Sequence, residues 1–353
     1  MATASKGPPP VKQLPPEICT VAFDSLGTSE AELKSNVVQM VESVGGLALL
    51  KKSPADIAAF MDSVQAKMKA NPYHNFSHIC DVTQFMYTAL VQTKIAERLS
   101  PLQRTALVLA AICHDLEHPG LSNVYQVNEK TEYAVRYNNE SPLENHHLEV
   151  ARALVTQHEL LAALSGPEVD EFWTLVRQCI LGTDMAKHGT MTKELDEFLG
   201  AEGADPLANA RVLQLGLSIL LKCADISNQA RPFSVSQTWN DVVYQEFYHE
   251  GDLDAKAGRE VNPLYNRETN VISKSTIGFI TFVVEPLFRL FVKFLERIQL
   301  SDDRISIEPL NQCLRSVRAR AVRPRAKLSP SDSSLGGSAR AGTSSRTRRR
   351  TNK

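Results

Sequence analysis

From Ser29 to about Ile298 the apolar residues of this chain recur at helical spacing, and the alternating pattern of half-buried strands joined by hairpin turns is missing. A chain patterned this way must bury its apolar stripes helix against helix, so an all-α domain is expected. The helix boundaries carry their own signals. Ser29 stands as an N-cap for Glu30–Val44, which Gly45-Gly46 closes. Ser53-Pro54 opens a helix reaching about Ala70, stopped by Asn71-Pro72. Ser100-Pro101 opens Leu102–Cys113, apolar almost all round and therefore buried. Later segments around 141–163, 168–182, 208–224, 234–250 and 278–298 read the same way.

The two ends read differently. Residues 1–18 are Pro-rich and are expected to form an extended or disordered tail. Residues 321–353, rich in Arg, Ser and Gly, are expected to form a second disordered tail, leaving one domain over 19–320. From Arg318 onward there are eleven Lys/Arg against Asp332, about +10, so a net charge of −1 leaves about −11 on the rest. An acidic body suits divalent cations, although a solvated acidic surface is the commoner cause. The basic tail offers itself to an anionic partner, with a merely solvated tail the plainer reading, and no specific nucleic-acid binding is expected. The six cysteines are scattered without a CxxC pair, which points to a reducing cytoplasm rather than a disulfide scaffold. Pro residues stand where a signal peptide needs an apolar run, so secretion is not indicated. The stretch from Ile277 to Ile298 carries Glu285, Arg289, Lys293 and Glu296, so it is expected to be a core helix and not a membrane span.

Three clusters carry chemistry. His74 and His78 are four residues apart, one turn on a helix face, which alone is more often an accident of core or surface. The buried Leu107–Cys113 run leads directly into His114-Asp115-Leu116-Glu117-His118, placing imidazole and carboxylate together where water is scarce. A buried carboxylate needs compensating positive charge, and a divalent cation supplies it. A second apolar helix ends the same way, in Lys222-Cys223-Ala224-Asp225. One such Asp is usually a cap or a salt-bridge partner. Two of them, with three histidines and the acidic Glu140–His147 segment, make a metal site the leading reading.

These residues also carry a resemblance. His114-Asp115-x-x-His118-x4-Asn123 resembles the signature of the class I 3′,5′-cyclic nucleotide phosphodiesterase catalytic domain, an HD-type, compact multi-helix fold. Tyr73-His74-Asn75, Ser141 to His147, Thr183-Asp184-Met185 with His188, and Asp225-Ile226-Ser227-Asn228 match in order and approximate spacing, and the likeness covers roughly 20–320. Glu132–Asn138 and Ser227–Pro232 look most like the type-nine, cGMP-selective subfamily. The resemblance implies His78, His114, Asp115 and Asp225 around a tighter ion, usually Zn2+, with Asp115 bridging to a second, usually Mg2+ or Mn2+. It implies a hydroxide between the ions attacking phosphorus, and His74 as the general acid for the O3′ leaving group. A metal-ligand role for His74 is the alternative. His118, Asn123, Glu144, His147, Thr183 and Asp184 would support metal waters, phosphate and the acid; a satisfied buried polar residue is the plain reading of each.

The implied base pocket departs from the family pattern. Phe279 keeps the aromatic clamp, Val243 falls where the opposing aliphatic residue belongs, and Asn228 remains a candidate base contact. The family's base-reading Gln is replaced by Thr276, and Phe247 stands where type-nine relatives carry tyrosine. A lost bidentate contact costs about 1–3 kcal/mol if a base edge is left unpaired. The expected activity is therefore cyclic-nucleotide hydrolysis in signal transduction, with cGMP favoured, cAMP open and discrimination weakened. The competing readings are another HD-type nucleotide hydrolase and a catalytically weak cyclic-nucleotide sensor. A homodimer is left open.

Overall fold

Each of the three serine-led helix starts closes as a capping box in the computed structural model, through Ser29 with Glu32, Ser53 with Asp56 and Ser100 with Gln103. The structure describes residues 11–201, 203, 205–299, 306 and 308–322; the expected tails at 1–10 and 323–353 lie outside them. Among the described residues there is no strand, and twelve α-helices have eight residues or more. In chain order these are α1 (Glu30–Ser43), α2 (Pro54–Lys67), α3 (Phe76–Gln92), α4 (Pro101–Cys113), α5 (Pro142–Gln157) and α6 (Gly166–Gly182). They continue with α7 (His188–Gly200), α8 (Ala210–Asp225), α9 (Phe233–Lys256), α10 (Ile272–Phe279), α11 (Glu285–Gln299) and α12 (Glu308–Val322).

The middle of the molecule is a bundle in which α4 packs between α3 and α6, and α8 packs on both α6 and α3. Its interior is aliphatic and close to continuous: Val82, Met86, Leu107, Ala110, Val176, Ile180, Leu220 and Leu221 are all buried in one cluster. This packing decides where the site lies, because it brings the N-terminal end of α3 beside the C-terminal ends of α4 and α8. Helix C-termini carry unsatisfied carbonyls and favour cations.

The structure differs from the expected boundaries in several places. α2 stops at Lys67 because Met68 turns extended. α7 was not expected; it buries only Leu195 and Leu199, too few apolar positions for periodicity to register. The run expected as one helix over 278–298 is interrupted by a π-turn, Ile280–Val284. Pro286 lacks the N–H that would bond back to Phe282 and its ring crowds that carbonyl, and a wider turn relieves both. Nor do residues 11–18 stand apart as a tail: Val11, Leu14 and Ile18 pack on the core, and the Leu14 N–H donates to the Tyr87 hydroxyl at 3.1 Å.

Buried Arg231 anchors the start of the chain to the segment after Asp225, donating to Asp81, to Gln84 and to the carbonyls of Val21 and Phe23. All six cysteines are free and buried. Among the described residues no helix is long and apolar enough to cross a membrane.

One close approach shapes the cleft described below. Gly251 of α9 lies against Tyr265, and a Cβ there would sit 2.1 Å from the Tyr265 carbonyl oxygen. Gly251→Ala should therefore force the 257–271 loop off the helix, at a cost of about 1–3 kcal/mol, the usual range for overpacking. Urea unfolding of the two proteins measures it, and an unchanged midpoint refutes it.

Candidate metal centre and adjoining cleft

His78 is the third residue of α3, reached through the Asn75 cap, whose side chain accepts the His78 N–H at 3.1 Å. His114 caps α4, Asp115 follows it, and Asp225 ends α8. Four donor atoms converge from these three helix ends. His78 Nε2 lies 3.3 Å from Asp115 Oδ2 and 3.2 Å from Asp225 Oδ1. His114 Nε2 lies 3.3 and 3.4 Å from the same two oxygens.

Neither imidazole nitrogen has a hydrogen-bond partner, although both are buried. Ligands about 2.0–2.1 Å from a tetrahedral zinc stand roughly 3.3 Å apart, which matches all four separations. His114 is also held in the ligating tautomer, since its Nδ1–H donates to the Ala111 carbonyl at 2.8 Å. The residues fit a divalent cation. Burial alone would depress the His78 imidazole, but Asp115 and Asp225 outweigh it and raise it to about 9. Burial would likewise raise both carboxylates, and the facing histidines instead hold them well down. Two imidazole nitrogens and two carboxylate oxygens at these separations are a donor set suited to a divalent cation.

The other oxygen of Asp115 faces elsewhere. Oδ1 lies 3.7 Å from His147 Nε2, and Asp115, His118 and His147 form a second group whose donor atoms converge. His147 donates through Nδ1 to the Leu116 carbonyl at 2.6 Å, and burial lowers it to about 4, so it is neutral. Asn123 donates to both oxygens of Glu144, at 3.1 and 2.9 Å, and accepts the Leu143 N–H at 3.0 Å. Burial and the nearby Asp184 push Glu144 up to about 7. Asp184 accepts from the Ser141 hydroxyl at 2.6 Å, and Thr183 caps α6 with its hydroxyl on the Ile180 carbonyl at 2.8 Å.

His74 sits just before α3 with its ring partly exposed to the cleft. Glu246 of α9 fixes it: Oε2 lies 2.5 Å from His74 Nδ1, while Oε1 accepts the backbone N–H groups of Tyr73 and His74 at 2.7 and 2.8 Å. Burial would raise the Glu246 carboxyl, but His74 and those two N–H groups hold it below its ordinary range. His74 also stacks on His118, ring centroids 3.7 Å apart. His118 Nδ1 accepts the Gly120 N–H at 3.0 Å, and burial with His74 alongside keeps that ring neutral.

Beside this centre opens a cavity of about 600 Å³. His74 and Asp225 line it, and so do Asn228, Val243, Phe247, Thr276 and Phe279, the five residues expected to contact a base. Phe247 stacks on Tyr265 at 4.8 Å, so the phenyl ring fills its place without a hydroxyl.

Sequence reasoning missed three residues. Glu246 was one of several acids on α9, yet Glu246, Glu250 and Asp254 recur every fourth residue and all three are buried, a carboxylate stripe on the inner face. Lys222 was read only as part of the approach to Asp225; it is buried and its Nζ donates to the carbonyls of Gly182, Thr183 and Asp184. Gln229 lines the cavity beside Asn228.

Comparison with known proteins places this geometry. Residues 73–304 match the family model described as 3'5'-cyclic nucleotide phosphodiesterase. The chain is 34% identical over 286 residues to the cGMP-specific 3',5'-cGMP phosphodiesterase 3 of Dictyostelium discoideum, covering 80% of this chain and 61% of that protein. It is 35% identical over 272 residues to the high affinity cGMP-specific 3',5'-cyclic phosphodiesterase 9A of Mus musculus, covering 76% and 50%. The chain thus spans about half to three-fifths of the length of these relatives. Among solved structures, the phosphodiesterase domain of the RhoPDE fusion protein from the choanoflagellate Salpingoeca rosetta superposes with a TM-score of 0.77 at 26% identity, covering 86% of this chain and 95% of that one.

Proposed function

The chain belongs to the 3'5'-cyclic nucleotide phosphodiesterase family, and we propose that it hydrolyses a 3′,5′-cyclic nucleotide, cGMP foremost, to the 5′-monophosphate. The observation that carries this reading is the meeting of His78, His114, Asp115 and Asp225 at one end of a cavity of nucleotide size. The two relatives named for cGMP specificity support the choice of base.

In this reading His78, His114, Asp115 and Asp225 would hold the tighter ion, Zn2+, and Asp115 would also help to hold a second, Mg2+ or Mn2+. Such ions, when bound, polarise the phosphoryl group and make water a competent nucleophile near neutral pH. The chain's own residues do the rest. His74 donates a proton from Nε2 to the departing O3′, because Glu246 engages Nδ1 and leaves Nε2 toward the cleft. Glu246 orients the imidazole through Nδ1, and His118 stacks on its face. Phe279 and Val243 sandwich the purine. Asn123 and Glu144, with Asp184 and Thr183, order water and phosphate around Asp115. Six free buried thiols suit a reducing cytoplasm.

Turnover of cGMP and cAMP with Zn2+ together with Mg2+ or Mn2+ tests the reading. Metal-dependent release of the 5′-monophosphate is expected, and no hydrolysis of either nucleotide under any of these ions refutes it. Thr276→Gln restores an amide at the cleft wall and should lower KM for at least one of the two substrates. A KM unchanged for both sets that idea aside.

A further inference from the structure

Gln229 lies in the short turn Ser227–Ala230 that follows Asp225, and it is 4% exposed. Its Nε2 donates to Asn228 Oδ1 at 3.0 Å and to Asn240 Oδ1 at 2.8 Å. Asn228 is itself oriented, since its Nδ2 donates to the Tyr73 hydroxyl at 2.6 Å. Both amide hydrogens of Gln229 are therefore spent. Its Oε1 is buried and has no partner. A stranded buried acceptor is costly, so a structure that keeps one gains by meeting a ligand that donates to it. All three amide residues, Asn228, Gln229 and Asn240, line the cavity that also holds Phe279 and Thr276. Stacking on Phe279 cannot tell one purine from another, and the Thr276 hydroxyl is too short to pair two atoms of a base edge.

Resting on the proposed cyclic-nucleotide reading of this cleft, we infer that Gln229 reads the base, as a carbonyl acceptor selective for guanine. The polarity follows from the amide's committed hydrogens. The guanine edge offers N1–H and the 2-amino group side by side, two donors that a single carbonyl oxygen accepts. Adenine offers its 6-amino group beside a bare N1, and Gln229 has no hydrogen left to give that nitrogen. Hydrogen bonds to Asn228 and Asn240 settle which end of the Gln229 amide is left to meet a base, and this gives the discrimination that Thr276 cannot.

The test compares wild type, Gln229→Met and Gln229→Glu on cGMP, cAMP and cyclic inosine monophosphate, which keeps N1–H and lacks the 2-amino group. Methionine fills the same volume without an acceptor. It should raise KM for cGMP about tenfold or more, the scale of losing one hydrogen bond that leaves a base donor unpaired. The effect should fall on KM rather than kcat and be smaller for cAMP, whose base offers one donor where guanine offers two, with cyclic inosine monophosphate between them. Glutamate keeps an acceptor, the neighbouring Asn amides can turn to donate to it, and the cGMP preference should survive. A ratio of kcat/KM between cGMP and cAMP that is the same in wild type and Gln229→Met overturns the inference. Thermal melting checks that each variant folds. Should Gln229→Met not fold, Asn240→Leu frees one amide hydrogen and should narrow the ratio by itself; an unchanged ratio there counts equally against it. If the wild-type protein turns over neither nucleotide, the hydrolase reading fails, and calorimetric binding decides about Gln229 separately. Tighter binding of cGMP than cAMP, lost in the variant, supports the inference, and equal binding of the two overturns it.

Discussion

Asp115→Asn should leave a folded protein that binds less metal and loses about a thousandfold or more in kcat/KM, the upper end of what removing one charge-stabilising group costs. Two features of the geometry set this expectation. Asp115 presents Oδ2 to His78 and His114 and Oδ1 toward His147, so one carboxylate serves two neighbouring clusters. It is also held strongly ionised: burial opposes the charge, and the histidines around it overcome burial. Asparagine keeps the shape but removes the charge, and it turns one oxygen into an NH2 group. That NH2 group would stand where a ligand oxygen is needed, facing either His78 and His114 or His147. The fold should survive, since Asp115 lies just beyond α4, whose interior is sealed by Leu107 to Cys113 without it. Metal content by elemental analysis, a thermal melt and turnover decide the matter together. Two bound ions with near-normal turnover in the variant would sink the proposed centre.

Much of this was legible before the structure because the signals are local. A serine followed by proline or by an acid three residues on names its own helix start, and α1, α2 and α4 begin where such signals put them. The donor atoms were legible for a related reason. An apolar helix that ends in a charged residue advertises a buried charge, and α4 and α8 both do so. What stayed hidden depends on contacts distant in sequence. Glu246 meets His74 across 172 residues, and nothing in the α9 sequence says which of its acids faces a histidine. Lys222 holds three carbonyls some forty residues away, a role that a lysine before an Asp does not announce. Gln229 becomes interesting only when both its amide hydrogens are seen to be committed. Proline content misled at the other end. A Pro-rich backbone needs few internal hydrogen bonds, so it can lie along a core as readily as leave it, and Val11, Leu14 and Ile18 supply the apolar contacts.

His74→Ala should keep its metal and lose about two or more orders of magnitude in kcat, the range general acid catalysis contributes. The argument rests on where the ring is held, since His74 stands outside the four-donor cluster. Its Nδ1 is taken by Glu246 at 2.5 Å, its face is stacked on His118 at 3.7 Å, and its ring centroid is 5.7 Å from that of His78. A ligand would need a nitrogen free to turn into the cluster, and this ring is clamped to point along the cleft. Elemental analysis should therefore find the same ion content in wild type and variant. A second substrate separates the roles further. A phosphodiester whose leaving group is a nitrophenolate needs no proton, so the alanine protein should lose far less rate on it than on cGMP. Glu246→Gln keeps an acceptor for the Tyr73 and His74 backbone N–H groups and sets an NH2 group against His74 Nδ1 in place of the carboxylate oxygen. Its loss should be smaller, about ten- to a hundredfold, as for other carboxylates that orient a histidine. Depletion of metal in His74→Ala would make His74 a ligand. An equal rate loss on both substrates would move the acid to another residue, and the Glu246 pairing would then be no more than a structural contact between α9 and the start of α3.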